Sequence, residues 1–263
     1  MRGVKIERVG NQTLILGDNK LGIDYMLQEG IKVDKVITSP PYNIIRPNST
    51  DRGYGLYKDG MTNEDYISWI VELFNKLDLI VNPNGAIIMN LSYGNENPNA
   101  MSLLVADIIK KTAFGLSDIL VWKKHSATPN NVSHNKMTRI VEFVYVFCRD
   151  SEYKTFTSNK KQIGAREDTS QPIYENLFNF FTAPNNDYST DLNKATYSSD
   201  FVQQIIDRYV LKEDIVLDIF NGTGTTSFAC EQNNIKSYGI ELSEKQFEHS
   251  LKRLNEVQIK LSL

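Results

Sequence analysis

Short apolar runs alternate with amphipathic stretches along most of the chain. Thr13-Leu14-Ile15-Leu16 and Val33-Asp34-Lys35-Val36-Ile37 read as strands, with a short helix over 21–30 between them that ends at Gly30. The second strand runs into Thr38-Ser39-Pro40-Pro41-Tyr42-Asn43, followed by a polar, glycine-bearing stretch over 44–63 with no periodicity. Loops longer than about 12–15 residues usually carry function. Thr62-Asn63-Glu64-Asp65 resembles a capped helix start, and Tyr66, Ile67, Ile70, Val71, Phe74 and Leu77 follow at spacings of three and four. Asn82-Pro83-Asn84-Gly85 reads as a turn and 86–91 as a buried strand. Residues 101–111 are helical, 117–122 return to strand, and 125–139 form a polar loop. Residues 140–147, rich in β-branched and aromatic side chains, are the most strand-like run of all.

Residues 150 to about 195 break this rhythm with polar, short-patterned sequence. It resumes with a helix over 199–211, a strand over 215–218, a helix over 225–233, a strand over 237–240 and a closing helix over 244–259. Strand, helix and strand in alternation predict an α/β fold whose mostly parallel sheet carries helices on both faces. The expected organisation is one α/β domain made of 1–150 and 196–263, with 151–195 as a small insertion that recognises something.

A length of 263 residues suits one such domain and little more. Ordinary hydrophobic (41%) and charged (23%) content excludes a disordered or coiled-coil chain. No apolar run approaches the roughly 18–20 residues of a membrane helix. The N-terminus is too polar for a secretory signal, and two lone cysteines, Cys148 and Cys230, suit a reducing cytoplasm. Neither the cysteines nor the three histidines have a metal-ligand spacing, so no metal site is expected. A net charge of −3 gives no global pull toward nucleic acid, so any basic footprint is local.

Two turns carry the chemistry. Ile215-Val216-Leu217-Asp218-Ile219-Phe220-Asn221-Gly222-Thr223-Gly224-Thr225 is a strand, a glycine turn and a helix start. Glycines admit a ligand close to the backbone, and helix N-terminal amides favour a carboxylate or phosphate. Asp218 is placed to hold a cationic group. Glu241, at the end of the next strand, stands where nucleotide-binding α/β folds put an acid for ribose hydroxyls. No Gly-Lys-Thr/Ser follows, so the turn is not a triphosphate loop; it suits a nucleoside with a charged tail. In the second turn, two prolines stiffen the exit from a strand and present the Ser39 hydroxyl, the Pro40 carbonyl and the Tyr42 ring at the sheet edge. Two acceptors beside an aromatic plate suit a flat heterocycle with an exocyclic amine.

Together, and in this order, the two motifs resemble the S-adenosylmethionine-dependent DNA amino-methyltransferases, which act on cytosine N4 or adenine N6 and accompany restriction–modification systems. The catalytic turn precedes the cofactor turn, as in the permuted β-type arrangement, and the resemblance covers about residues 16–254. It implies a Rossmann-like fold and S-adenosylmethionine as cofactor. By the same resemblance Asp218, Phe220, Gly222, Thr223 and Thr225 line its methionine end, with Thr38 and Gly224 beside them. Glu241 takes the ribose, Leu242 covers the adenine, and Asp18 faces the adenine amine. Ser39, Pro40 and Tyr42 are the catalytic turn, and 151–195 holds target recognition. The family's histidine-proline pair before the helix at 199 is replaced here by Asn193-Lys194-Ala195-Thr196-Tyr197-Ser198, so no cofactor contact is assigned there.

Family members with serine first in the tetrapeptide mostly act on cytosine, and Ser39 therefore points to N4 of a flipped-out cytosine in double-stranded DNA. Adenine N6 stays open, because a hydroxyl accepts from either amine. Lys123, Lys124, Lys136, Arg139, Lys160, Lys161 and Arg166 form three local basic groups that suit phosphate contact. An RNA or small-molecule methyltransferase, and a nucleic-acid-binding subunit without catalysis, are the competing readings. Long helices such as 65–79 are candidates for a homodimer face, and a companion restriction endonuclease is a candidate partner.

Overall fold

The computed structural model describes residues 3–43, 61–92, 98–127, 134–135, 137–188 and 196–261. The long loop at 44–60 and Lys136 lie outside them. The chain opens with β1 (Lys5–Val9), β2 (Gln12–Leu16), α1 (Asn19–Gln28), β3 (Val33–Thr38), α2 (Asn63–Asp78), β4 (Val81–Leu91), α3 (Pro98–Lys111), β5 (Phe114–Lys124) and β6 (Val141–Arg149). After a single 3-10 turn come β7 (Gln162–Ala165), β8 (Pro172–Tyr174) and β9 (Phe180–Ala183), then α4 (Ser199–Tyr209), β10 (Ile215–Asp218), α5 (Thr225–Gln232), β11 (Lys236–Glu241) and α6 (Glu244–Leu261).

Nine strands form one sheet in the order β1-β2-β11-β10-β3-β4-β6-β5-β9. Pairing is parallel from β2 to β4 and again between β5 and β9; β1 and β6 run antiparallel to their neighbours. The mostly parallel α/β sheet expected from the alternation is what forms. Successive strand residues enter opposite cores: Val36 and Ile87 pack with α1, α2 and α3, whereas Ile37 and Ile88 pack with α4 and α5. A strand buried on both faces reads as a continuous apolar run, which is why these strands were legible.

Several details depart from the sequence reading. The turn at 82–85 is a bulge inside β4: Val33 pairs with Val81 and Lys35 with Ala86, and Asn84 takes a left-handed φ of 59°. β1 and the small strands β7, β8 and β9 lacked a readable pattern, being short, exposed or both. Residues 180–183, inside the expected insertion, belong to the main sheet as its edge strand β9. The segment ahead of them carries the exposed β7–β8 hairpin. α2 is capped by Thr62 as expected, and its apolar stripe (Tyr66, Ile67, Ile70, Val71, Leu73, Phe74, Leu77) is buried within the chain. Among the described residues no helix is long and apolar enough to cross a membrane.

Candidate active site

The sheet order places β10 beside β3, while the chain continues from β10 to β11 on one side and from β3 to β4 on the other. Ligands of open α/β sheets bind at the carboxyl ends of strands at such a switch point. The strand ends there are Asp218 and Thr38, so the fold brings the two sequence motifs together. Between them opens a cleft, with a wall made of Ser39, Pro40, Pro41 and Tyr42 facing another made of Phe220, Asn221, Gly222 and Thr223. Thr225 and Glu241 also line it.

Asp218 lies beneath this cleft and is 1% exposed. Its Oδ1 accepts from Thr38 Oγ1 at 2.7 Å and from the Phe220 amide at 3.0 Å. Its Oδ2 accepts from Thr226 Oγ1 at 2.6 Å and from the Tyr197 hydroxyl at 3.0 Å. A carboxylate has about four lone-pair sites, and all are engaged by the protein. The expectation that Asp218 holds a cationic group is therefore recast: its charge braces the turn that carries Phe220. Burial pushes its carboxyl above the usual range, against the pull of these four donors.

Gly222 and Gly224 have φ of 53° and 82°, the left-handed region that side chains resist. Gly224 is the N-cap of α5, and a β-carbon there would collide with Ser250 of α6. The Gly222 amide donates to Glu241 Oε2 at 2.8 Å, and the Ser243 amide to Oε1 at 2.7 Å. Glu241 is thus held by two backbone donors while its carboxylate lines the cleft, and burial pushes its pKa above the ordinary glutamate range. Asp18 caps α1 by accepting from the Lys20 amide at 2.9 Å, one strand beyond Glu241. Leu242 is half-buried next to Glu241. Neither is on the cleft wall itself.

Ser39 Oγ lies 3.1 Å from the Tyr42 hydroxyl and donates to the Asn90 carbonyl at 3.3 Å. Asn90, at the end of β4, donates from Nδ2 to the Tyr42 hydroxyl at 3.2 Å. The stiff turn is therefore anchored to the neighbouring strand end.

The basic residues divide between the two poles of the sheet. β5 runs parallel to β4, so Lys123 and Lys124 at its end, with Arg139 just before β6, share the pole of the cleft. Lys123 is exposed, whereas Lys124 is paired with Glu142. Lys160 and Lys161 line a groove with Asp34, Lys35 and Asp214, at the amino ends of β3 and β10. That is the pole opposite the cleft. Arg166 sits on the exposed hairpin that leaves the body between Lys161 and Glu175. The cluster at 160–166 is not brought to the catalytic turn.

Thr196, Tyr197, Asn221 and Gln246 line the cleft without having been singled out. Asn221 sits inside the glycine motif and was readable by position. Tyr197 and Gln246 come from α4's approach and from α6, and only the packing of those helices against the turn selects them. Thr196 and Tyr197 occupy the stretch where the histidine-proline pair was missing.

The residues present suit S-adenosylmethionine: a glycine backbone at Gly222 on the cleft wall, a ring at Phe220 and a buried carboxylate at Glu241. Among the described residues no group of three or more histidine, cysteine or acidic side chains is placed to hold a metal.

Comparison with known proteins agrees. The family model described as DNA methylase matches residues 33–252. The chain is 26% identical over 234 residues to the Type II methyltransferase M.BglII of Bacillus subtilis, covering 82% of this chain but 61% of that relative. It is 26% identical to M.Cfr9I of Citrobacter freundii, covering 92% of this chain and 87% of the relative. Its fold superimposes on the PvuII cytosine-N4-specific DNA methyltransferase with a TM-score of 0.68, at 16% identity over 95% of this chain and 90% of that one. For the complex of M1.HpyAVI with SAM the TM-score is 0.61, at 24% identity over 93% and 100%. With the glycine cradle and the Ser39–Tyr42 turn meeting at one switch point, and a family model spanning both, the chain belongs to the DNA methylase family of S-adenosylmethionine-dependent amino-methyltransferases.

Proposed function

We propose that this protein methylates the exocyclic N4 of a cytosine flipped out of duplex DNA. The observation that carries the reading is the Ser39 hydroxyl on the cleft wall, held between Tyr42 and Asn90 and facing the glycine cradle. Phe220, Gly222, Thr223 and Thr225 would hold the methionine end of S-adenosylmethionine, and Glu241 its ribose. When bound, the cofactor supplies an electrophilic methyl group. An aryl amine is a weak nucleophile because its lone pair is delocalised into the ring. Ser39 Oγ and the Pro40 carbonyl accept its N–H bonds, localise that pair and stabilise the positive charge that develops on nitrogen. Tyr42 replaces the stacking that the flipped base loses.

DNA approaches from the cleft pole, with Lys123 and Arg139 contacting phosphates. The relatives named Type II methyltransferases support a role beside a restriction endonuclease in the cytoplasm, where the chromosome lies. Adenine N6 is the second reading, since Ser39 accepts from either amine.

Transfer of labelled methyl to mixed-sequence duplex DNA, with nucleoside analysis of the product, tests this directly. N4-methylcytosine is expected, and N6-methyladenine would overturn the choice of base. Ser39→Ala should bind cofactor normally and turn over about 10²-fold more slowly, as for loss of one charge-stabilising group. Full turnover in that variant removes Ser39 from the mechanism.

A further inference from the structure

Behind the catalytic turn lies a buried chain of polar groups that the proposed mechanism has not used. Asn90, 2% exposed, donates one Nδ2 hydrogen to the Tyr42 hydroxyl and the other to Glu142 Oε2 at 2.8 Å. Glu142, on β6 next to β4, is itself only 5% exposed, and its other oxygen is paired with Lys124, which sits 5.1 Å above the Trp122 ring. The Asn90 side-chain oxygen, Oδ1, is buried and has no hydrogen-bond partner among the described residues.

An amide can present either end to a neighbour, but an ionised carboxylate only accepts. Turning Asn90 round would give Oδ1 a chance of partners and would set two acceptors against each other at Glu142. The glutamate therefore locks Nδ2 inward, at the expense of an unsatisfied Oδ1. The locked amide aims its second N–H at the Tyr42 oxygen, which must accept. Tyr42 then directs its own proton to Ser39 Oγ, and Ser39 directs its proton to the Asn90 carbonyl. Ser39 is left with a lone pair, which is what the amine of the target base requires.

We propose that Glu142 is a positioning residue: acting through Asn90 and Tyr42, it sets the direction of the hydrogen bonds at the catalytic turn so that Ser39 faces the base as an acceptor. This rests on the methyl-transfer reading above and names a residue that controls it.

The test is single-turnover methyl transfer to duplex DNA by the full chain, combined with a double-mutant cycle. Glu142→Gln, which lets the Asn90 amide turn, should lower the rate roughly 10- to 100-fold, as for misplacement of a catalytic group, while cofactor and DNA dissociation constants stay within about twofold. Because Glu142 acts through Ser39, adding Glu142→Gln to Ser39→Ala should slow that variant no further. A purely structural role would instead multiply the two losses, or would lower binding and rate together. Tyr42→Phe cuts the same chain without touching the Lys124–Glu142 pair, and serves if Glu142→Gln does not fold; it should show the same loss and the same non-additivity. An active wild type with full rate in Glu142→Gln or Tyr42→Phe, or losses that multiply, overturns this inference alone. A wild type that transfers no methyl to any duplex overturns the functional reading and this one with it.

Discussion

The hydroxyl of Thr38 donates to a carboxylate oxygen of Asp218 across 2.7 Å, joining residues 180 positions apart in the chain. The first ends β3 and begins the Ser39-Pro40-Pro41-Tyr42 turn; the second ends β10 and begins the glycine turn. Their bond is buried, so little solvent competes for it, and it sets the spacing between the two walls of the cleft.

Thr38→Val keeps the shape and removes the donor. It should destabilise the fold by about 1.5–3 kcal/mol, the range for a buried bond to a charged group, and weaken cofactor binding together with the rate. Denaturant unfolding and cofactor titration measure the two effects. Unchanged stability would mean that the remaining three donors to Asp218 suffice.

Gly224→Ala forces a β-carbon into the left-handed region and against Ser250. The backbone alone costs about 1–2 kcal/mol. The collision with α6 adds to that, so the turn must shift and cofactor affinity should fall steeply. A variant that binds cofactor like the wild type would show that the turn relaxes without consequence.

If Glu241 takes the cofactor's ribose as proposed, cofactor affinity depends on pH. Its carboxyl is raised above the ordinary range, chiefly by burial, and both of its oxygens are accepting from backbone amides. Ribose hydroxyls donate to the ionised form, so affinity is full above the raised value and falls as pH is lowered through it. That fall should begin at a higher pH than an ordinary glutamate, near about 4.3, would give. Cofactor titrations between about pH 4 and 8 check this, with Glu241→Gln expected to be weaker and flat across the same interval.

Placement of the lysines predicts a split in DNA binding. Lys160→Ala with Lys161→Ala, at the far pole, should leave affinity and its salt dependence unchanged. Lys123→Ala, at the cleft pole, should weaken binding on all sequences and reduce the slope of log affinity against log salt by about 0.9. The reverse pattern would place DNA on the groove beside Asp34 and Lys35.

Much of this protein was legible in one dimension. Val36 and Ile37, or Ile87 and Ile88, serve opposite cores, and such two-sided burial writes itself as unbroken apolar runs. Thr62 ahead of an apolar stripe marked the start of α2. Proline pairs and glycine turns constrain backbone locally, so both walls of the cleft could be read from their own residues. The same local reading overlooked Tyr197 and Gln246, whose place on the cleft comes from helix packing. It also gave no sign that Tyr197 and Thr226 bond to Asp218 or that Glu142 pairs with Lys124, because those partners are distant in sequence or in another strand.

The alternating elements, the two motifs and the cofactor class they imply were readable from residues within one turn or strand. The pole that each loop occupies and the charges consumed inside follow instead from how distant segments pack. The placing of β10 beside β3 brought 38 and 218 together, and antiparallel β6 returned the chain to the opposite pole ahead of 160–166; no local pattern records either strand order or strand direction. Charges such as Asp218 and Glu142 are drawn inward for the same reason: a buried carboxylate needs several donors at once, and only neighbouring strand ends supply them.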